Sequence, residues 1–523
     1  MGPSAAIRSR SMGIFYQKVK RRLKRACMDF MAPLAVYFGI NWPQAYYFAA
    51  QKDHSQYKKE ISRNNFDRKS LEKVEDRIIA CLDKYITHKP DLEGILDWVN
   101  ANILLYSFSV RKGQFRKDTY EETARIVHSV INRHQLDKLG LEFIPRGFAV
   151  GSIGVWENLE AYIKAGILGM RPITQLILLV DPKTPVNNPC YLNYWQNYVT
   201  VISDPAAIRF FSQLERSLTV PLAFYMIFHD RTLSSPIAVG AVRERWGSEG
   251  RPPLLTLSDP DFKRGRECLK SLGVPDGAWF VCLHVREPGW RDFGTRAANF
   301  RNCNINTYSS AVKAVVDAGG WVIRMGDPGM TPLPKTDHVL DYAHSSAKSD
   351  WMDIFLCAQC RFVIGTASGV YTIAKAFGRP VVMTNLLPAE AMYLLTSEDI
   401  FIPRICRDKN KNRILDFHEL LSFPVSTAYM QNLYDRLGLE IIENTPQEIQ
   451  DAVTEMLGRI NGTLQYTEED ERLQSRFKSL TEYGGKQYGD HGIKVNARIA
   501  RKFLHHYAHL LSSPKSGYVP AGV

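Results

Sequence analysis

Side chains that suit a phosphate ligand stand at three points in the second half of the chain, each in or after an apolar run. They are Arg286 after the run 279–285, Arg324 within the run 321–325, and Thr366, Ala367, Ser368 and Gly369 after the run 361–365. An arginine binds phosphate oxygens through two parallel hydrogen bonds, and small residues at the start of a helix leave backbone N–H groups free for an anion. The pattern predicts a diphosphate site.

Some of these side chains also have a purely structural interpretation. Arg286 and Arg324 could instead form ion pairs with neighbouring carboxylates such as Glu287 or Asp327. His284 stands two residues before Arg286, so on a strand both side chains point to the same face of the sheet. His284 is therefore either part of the predicted site or a histidine of the core.

Two further residues complete the predicted donor side of the site. Gly326 ends the run that contains Arg324, and Asp353 lies on the helix before the Thr366 loop. Asp353 is equally well explained as a carboxylate in the first helical turn, where the helix dipole favours negative charge.

An earlier loop, Gly151-Ser152-Ile153-Gly154, joins a predicted strand to a predicted helix. Its glycines either permit a positive φ at the corner or let a ligand approach the backbone. Glu157, three residues after Gly154, is the predicted catalytic base facing the diphosphate site, and Glu287 and Asp292 are the alternatives. The loop is the predicted acceptor side.

The sequence does not predict a metal site. Cys357 and Cys360 form a CxxC that lacks the second pair or the two histidines that zinc requires. The segment 408–419 places oxygen ligands as in a calcium loop, but Arg413 stands where the sharp turn needs glycine. A polar turn followed by a capped helix is the preferred interpretation of that segment.

The surrounding pattern indicates which elements carry these residues. Short apolar runs alternate with segments of helical periodicity, which is the β-α-β order of parallel, doubly wound domains. Ligands bind such sheets at the carboxyl ends of the strands. The runs 143–150, 176–180 and 199–202 predict one such domain, and those near Arg286 and Thr366 predict another. We expect two Rossmann-like α/β domains facing a cleft.

The predicted domains are a basic arm with an apolar segment (1–50), an α-helical module (51–141), a first α/β domain (142–255), a second (256–490), and a C-terminal crossing helix and tail (491–523). Val495, Ile499, Phe503 and Tyr507 recur at four-residue spacing and predict that the final helix spans 492–511.

The positive charge of the chain is concentrated at its start. Residues 1–25 contain eight basic residues and no acid, so the net charge of +12 falls to +12 − 8 = +4 for the other 498 residues. This distribution argues against nucleic-acid binding. The apolar segment 27–40 is shorter than a spanning helix requires, and it favours an arm, residues 8–40, on an anionic membrane surface. A packed amphipathic helix is the alternative.

The nine cysteines are odd in number and several lie inside apolar runs, as expected for reduced thiols of a cytoplasmic protein. Together with the arm, they predict a protein peripheral to the inner face of the cell membrane.

Several segments resemble a family of bacterial glycosyltransferases associated with surface polysaccharide assembly. They are 284–287, 301–305, 320–327, 341–343, 353–358 and 362–369. The resemblance covers about residues 142–510. More distantly, His284-Val285-Arg286 is similar to the donor motif of GDP-fucose-dependent fucosyltransferases. Glu287 stands where those enzymes have a second arginine, which leaves the donor sugar open.

The resemblance implies a GT-B fold with an N-terminal acceptor domain and a C-terminal donor domain. It implies metal-independent transfer from a nucleotide-diphosphate sugar, which is a substrate and not a cofactor, to a glycan or lipid-linked acceptor. Arg286 carries over as the group that binds the diphosphate, and 366–369 as the corner that contacts phosphate. A nucleotide-sugar epimerase or hydrolase on the same fold, and a non-catalytic membrane-associated scaffold, are the alternatives.

Overall fold

The computed structural model describes residues 49–53, 55, 68–88, 135–151, 153–220, 222, 225–287, 296–486 and 493–511. The chain divides into two compact units, residues 1–136 and 137–523. In the first unit, helix α1 (Arg68–His88) buries Val74, Ile78, Leu82 and Tyr85. Their spacing by three or four is that of an amphipathic helix. The predicted basic arm and most of the predicted helical module lie outside the described residues.

The second unit is built from short strands and helices that follow one another closely. Its strands are β1 (Leu141–Phe143), β2 (Gln175–Leu179), β3 (Val199–Ile202), β4 (Tyr225–Ile227), β5 (Thr232–Ser234), β6 (Phe280–His284), β7 (Trp321–Arg324), β8 (Val339–Leu340), β9 (Val363–Gly365), β10 (Val381–Leu386), β11 (Ile400–Pro403), β12 (Ile405–Asp408), β13 (Arg413–Ile414), β14 (Leu439–Ile442) and β15 (Arg498–Ile499). Its helices are α2 (Gly147–Val150), α3 (Trp156–Ile167), α4 (Pro189–Tyr194), α5 (Pro205–Leu218), α6 (Ser235–Ser248), α7 (Asp259–Ser271), α8 (Ser309–Asp317), α9 (Asp350–Gln359), α10 (Gly369–Ala376), α11 (Phe417–Leu421), α12 (Gln431–Arg436), α13 (Pro446–Ile460), α14 (Glu468–Lys486) and α15 (Arg501–His506).

A three-stranded sheet forms the earlier part of this unit. Its order is β1-β2-β3, and all its pairings are parallel. The predicted strand 143–150 is wrong beyond Phe143, because the chain leaves the sheet there and residues 147–150 form α2. Pro145 has no N–H to donate to a neighbouring strand, which ends the pairing.

A seven-stranded sheet forms the later part, in the order β15-β11-β10-β9-β6-β7-β8. All its pairings are parallel. The residues of β6, β9 and β10 are buried throughout, as expected for strands covered by helices on both faces. The structure thus confirms the mixed α/β class with a large parallel sheet, and it places β6 beside β9.

The predicted helix over 492–511 is wrong. Residues 498 and 499 form β15 at the edge of the large sheet, and α15 begins only at Arg501. Val495, Ala497 and Ile499 are buried at every second position, which is the period of a strand. A spacing of four fits both a helix and a strand, so the sequence pattern did not separate them.

The segment 408–419 forms a polar turn and a capped helix, as preferred from the sequence. The strands β12 and β13 pair as a hairpin, and Asp416 then caps α11 in a capping box with Glu419. Arg413 forms an ion pair with Glu419, which directs that carboxylate toward a guanidinium.

Helix α6 contacts two segments of the later part of the unit, near Leu394 and near Asn496. The side chain of Arg243 donates a hydrogen bond to the carbonyl of Leu394 (2.5 Å), and that of Asn496 donates to the carbonyl of Gly240 (3.0 Å). A Cβ added at Gly240 would lie 2.3 Å from the carbonyl oxygen of Tyr393, so only glycine permits this approach. None of the helices in the described ranges combines the length and the apolarity needed to cross a bilayer.

We expect Gly240→Ala to lower the free energy of unfolding by about 1–3 kcal/mol, the usual cost of overpacking. Gly247→Ala, on the same helix, is the matched control, since its added Cβ would have no neighbour within 4 Å. That change should raise the free energy of unfolding by about 0.5–1 kcal/mol through helix propensity. Urea unfolding of both variants measures the difference, and equal effects would contradict the close approach of α6 to the 389–394 segment.

Candidate functional site

The carboxyl ends of β6 and β9 meet at one point of the large sheet. The backbone N–H of Arg286 donates to the Thr366 hydroxyl (3.1 Å), and the N–H of Thr366 donates to the carbonyl of His284 (3.2 Å). Gly365 makes this possible, because an added Cβ would lie 2.1 Å from the His284 carbonyl oxygen. The two predicted corners are therefore adjacent in the fold.

Arg286 extends from this junction as a half-buried cation. Its Nε donates to the side-chain oxygen of Asn302 (3.2 Å). Burial and the neighbouring Arg301 lower the pKa of Arg286 to about 10, so the group stays charged at neutral pH. Within the described ranges, no carboxylate lies at ion-pair distance from Arg286. A partly desolvated charge without a counter-ion favours an anionic ligand.

Arg301 is a second cation of the same kind, and it is not among the site residues predicted from the sequence. It ends a short 3-10 segment, Arg296–Arg301, and burial lowers the pKa of its side chain. Its Nε is buried without a hydrogen-bond partner in the structure. No strand end marks Arg301 in the sequence, so only its presence in a resembling segment could have indicated it.

The loop 366–369 leads directly into α10. Ser368 stands at the N-cap of this helix in an extended conformation, and its hydroxyl is buried without a hydrogen-bond partner. Thr366 is buried, while Ala367 is half-buried and packs against the core. The first N–H groups of α10 thus begin beside Arg286, where a helix N-terminus favours negative charge.

The earlier glycine loop contacts this corner. A Cβ added at Gly369 would lie 3.1 Å from Ile153 and 3.2 Å from the N–H nitrogen of Gly154. Gly151 has a φ of −86°, and an added Cβ would lie 2.6 Å from the Gly147 carbonyl oxygen. Gly151 therefore serves close backbone packing and not a positive φ. Ser152 lies outside the described residues.

Glu157 lies in the first turn of α3. Here the segment 153–157 contacts the start of α10, and we call this contact the seam between the two sheets. Its carboxylate accepts hydrogen bonds from the Tyr371 hydroxyl (3.1 and 3.2 Å) and lies 3.5 Å from Arg243. Burial raises the pKa of Glu157 to about 7, although Arg243 and Tyr371 favour the ionised form. A carboxyl group that titrates near neutrality is suited to proton transfer. Asp292, one alternative base, lies outside the described residues.

Glu160, one turn further along α3, shows the opposite behaviour. It accepts hydrogen bonds from Lys164 (2.6 Å) and Arg243 (2.7 Å). Burial disfavours its ionised form, but these two cations more than offset the effect and lower the pKa of Glu160 to about 2. Two carboxylates that share Arg243 therefore differ in protonation near pH 7.

Arg324 occupies a different position from Arg286. Its side chain is fully buried, with 0% exposure, and its Nη2 donates to Glu287 (2.8 Å) and to the carbonyl of Thr331 (3.1 Å). Asp341 lies 3.6 Å from Nη1. The structure places Arg324 and Glu287 as an ion pair, the structural alternative that the sequence left open. Gly326 follows in a turn at φ +151°.

His284 is the last residue of β6 and pairs with Gly365 of β9. Burial, Arg324 and Arg286 lower the pKa of His284 to about 4, so the imidazole is neutral at pH 7. Its Nδ1 is buried without a partner in the structure. Asp353 lies in the first turn of α9 and accepts a hydrogen bond from Lys348 (2.5 Å). The charge of Lys348 also helps to lower the pKa of His284.

Metal ligands do not converge in the described part of the chain. It contains no group of three or more His, Cys, Asp or Glu side chains that could hold an ion. Cys357 and Cys360 are both buried free cysteines.

No protein-family model matches the sequence, and no curated protein matches it significantly. Among solved structures, a glycosyl transferase of family 9 from Veillonella parvula aligns at 11% identity and a TM-score of 0.33, covering 50% of this chain and 85% of its own. The iron-containing dodecameric glycosyltransferase TibC from enterotoxigenic E. coli aligns at 14% identity and a TM-score of 0.27, covering 48% of this chain and 59% of its own. At such TM-scores neither alignment establishes a common fold or function.

The opposite pKa shifts of Glu157 and Glu160 predict opposite effects of removing each charge. The stability that the neutral Glu157 side chain contributes is present below its unfolded pKa of about 4.5 and is lost as the pH rises toward 7. As the pH rises from about 4.5 to 8, the free energy of unfolding of the wild type should therefore fall by on the order of 2–3 kcal/mol relative to that of Glu157→Gln.

Glu160→Gln is the matched control for this titration. The ionised Glu160 stabilises the fold above its unfolded pKa, so this variant should be less stable than the wild type at pH 8, and the deficit should shrink only as the pH falls toward 2. Denaturant unfolding across this pH range measures both effects. Parallel stability curves for Glu157→Gln and the wild type would show that Glu157 does not titrate as stated.

Proposed function

We propose that this chain is a glycosyltransferase of GT-B architecture that uses a nucleotide-diphosphate sugar as donor. The supporting observation is the pair of partly buried arginines, Arg286 and Arg301, that lack carboxylate partners among the described residues. Arg286 is hydrogen-bonded to the loop that begins α10, at the carboxyl edge of a parallel sheet, where α/β proteins bind nucleotides. Arg301 lies near enough to Arg286 to lower its pKa.

The two arginines would bind the diphosphate and stabilise it as it leaves the sugar. Negative charge grows on the diphosphate in the transition state, and fixed cations in a water-poor site can lower the barrier by several kcal/mol. We propose that the positive charges of the two arginines allow transfer without a divalent cation. Thr366 to Gly369 would contact the phosphates through the first N–H groups of α10 and the free Ser368 hydroxyl.

Glu157 is the proposed catalytic base. It would accept the proton of the acceptor hydroxyl from the side of the three-stranded sheet, while the diphosphate lies on the side of the seven-stranded sheet. Its pKa of about 7 means that the ionised fraction, and with it the transfer rate, should rise through neutral pH.

The finer assignment rests on the sequence. We propose a glycan or lipid-linked acceptor in bacterial surface polysaccharide synthesis, because the segments from 284 to 369 resemble glycosyltransferases of that process. Glu287, which stands where the fucosyltransferases have a second arginine, forms an ion pair with Arg324. The donor sugar therefore has to be identified by experiment.

Arg286→Ala and Arg301→Ala should each weaken the binding of the cognate nucleoside diphosphate by about tenfold to a hundredfold, because each removes charge-assisted hydrogen bonds. A melting-shift panel of GDP, UDP and dTDP, with the monophosphate CMP for comparison, identifies the nucleotide, and calorimetry then gives the dissociation constants. Both variants should also lose sugar transfer, with and without a chelator in the assay.

Arg266→Ala is the matched control, since Arg266 donates to the carbonyl of Ala278 at the opposite edge of the same sheet. This variant should bind and transfer like the wild type. Near-normal transfer by Arg286→Ala would overturn the proposed function. Release of free sugar or an epimer in the absence of any acceptor would instead identify a hydrolase or an epimerase.

We propose that residues 8–40 hold the protein on an anionic membrane surface at the cytoplasmic face. The support is the eight basic residues that precede the apolar segment 27–40. Near an anionic surface each basic residue contributes about 1 kcal/mol of attraction, so several together are sufficient for stable binding.

Deletion of residues 1–41 should release the protein from vesicles that contain phosphatidylglycerol, as measured by co-sedimentation. The full chain should bind these vesicles and not vesicles of phosphatidylcholine alone. Replacement of the eight basic residues by glutamine is the control that keeps the apolar segment in place. Unchanged sedimentation of the deletion variant would rule out the arm as the anchor.

A further inference from the structure

Arg404 is a buried arginine that the proposed site does not itself include. It stands between β11 and β12, at the carboxyl edge of the large sheet, and is 3% exposed. Its guanidinium donates to the carbonyls of Phe300 (2.5 Å) and Asn302 (2.6 Å) and to the Cys303 thiol (2.8 Å). One side chain thus makes three contacts with the loop 300–303.

That loop holds both cations of the proposed site. Arg301 is part of it, and Asn302 accepts a hydrogen bond from the Nε of Arg286 (3.2 Å). The N–H of Cys303 donates to the carbonyl of Arg286 (2.9 Å). The loop therefore fixes Arg286 through its backbone and its side chain, and Arg404 fixes the loop.

Asn385 supports Arg404 from the end of the neighbouring strand β10. Its side-chain oxygen accepts from the Nε of Arg404 (3.2 Å) and from the N–H of Asn444 (2.8 Å). Its side-chain amide donates to the Tyr308 hydroxyl (3.2 Å). Asn385 is 2% exposed and has a φ of +52°, a conformation that residues other than glycine adopt only when their surroundings enforce it.

The contacts of Arg404 are of a kind that only an arginine can make. Its hydrogen-bond partners are mainly neutral oxygens spread around a planar fork. Among the described residues, the carboxylate of Glu443 lies at ion-pair distance, 3.6 Å away. A lysine in this place would keep the charge but could not reach Phe300, Asn302 and Asn385 together. The planar shape of the guanidinium, and not its charge alone, therefore explains why an arginine stands at position 404.

We propose that Arg404 is a positioning residue for the diphosphate site. With Asn385 behind it, Arg404 holds the loop 300–303 so that Arg301 and the Asn302-bound Arg286 present their guanidinium groups to the same diphosphate. Arg404 itself does not touch the donor. This inference rests on the proposed function, because the ligand that it helps to bind is the nucleoside diphosphate.

If Arg404 holds the two arginines in place before the ligand binds, its loss should affect the binding of the donor. Cations that must be ordered by the ligand bind it less tightly than cations held in place beforehand, and small displacements at a reacting centre are costly. Loss of Arg404 should therefore raise the dissociation constant of the diphosphate and the KM for the donor. The KM for the acceptor should stay as it is.

The test compares Arg404→Lys and Arg404→Gln with the wild type, using calorimetric titration of the nucleoside diphosphate selected by the melting-shift panel. Both variants should weaken binding by about tenfold or more. Arg171→Gln is the control for the loss of a buried arginine, since Arg171 is 5% exposed and is bound to Glu142 in the three-stranded part of the unit. That variant should melt at a lower temperature and bind the diphosphate normally.

A double-variant cycle decides whether Arg404 acts through Arg286. In an Arg286→Ala background, Arg404→Gln should weaken binding less than it does in the wild type, because one of the two arginines that it positions is already absent. Losses that simply multiply would overturn the inference, as would normal binding by Arg404→Lys.

Asn302→Ala gives an independent reading if the Arg404 variants do not fold. Asn302 is half-exposed and links the loop to Arg286, so its replacement should weaken diphosphate binding without a change in melting temperature. Normal binding by Asn302→Ala would overturn the inference. Failure of the wild type to bind any diphosphate would overturn the proposed function and this inference with it, whereas wild-type binding with unaffected variants would overturn the inference alone.

Discussion

The parallel pairing of β6 with β9 is the constraint on which the candidate site depends. The register sets His284 opposite Gly365, so both strands end at the same level of the sheet. Gly365 lets the strands approach, and the Thr366 hydroxyl then accepts the N–H of Arg286. A cation and a helix N-terminus become neighbours although 80 residues separate Arg286 from Thr366. Each supplies what the other lacks, because the arginine carries a full charge and the helix offers directed N–H groups.

Arg286 and Arg324 lie near the ends of neighbouring strands, but their charges are paired differently because their neighbours differ. Arg324 is fully buried and is neutralised by Glu287, which suits a structural ion pair. Arg286 is only half-buried and has Asn302, a neutral amide, as its side-chain partner. Burying an unpaired charge is costly, so the fold keeps such groups where a ligand can neutralise them. This difference is the physical reason for proposing Arg286 and Arg301, and not Arg324, as the residues that bind the diphosphate.

The seam between the two sheets brings an ionisable group of a different kind to the same place. Gly369 packs against Gly154, and Tyr371 donates to Glu157 two residues further along α10. Helix α10, which begins at the 366–369 loop, thus also contacts Glu157, the proposed base. Arg243 stabilises this arrangement by donating hydrogen bonds to Glu160 and to the carbonyl of Leu394. The proposed donor side and the proposed acceptor side can act together only if these contacts hold them in a fixed relation.

The sequence alone determined what depends on local pattern. It predicted the parallel α/β class, the corners at Arg286 and Thr366, and the capped turn at Asp416, because apolar runs, small residues and capping boxes are local features. It did not separate a strand from a helix near Ile499, where a spacing of four fits both periods. It also did not separate Arg324 from Arg286 or select Arg301. Those outcomes depend on partners such as Glu287 and Asn302, whose approach is decided by long-range packing. Only the tertiary structure therefore shows which cation lacks a counter-ion among the described residues.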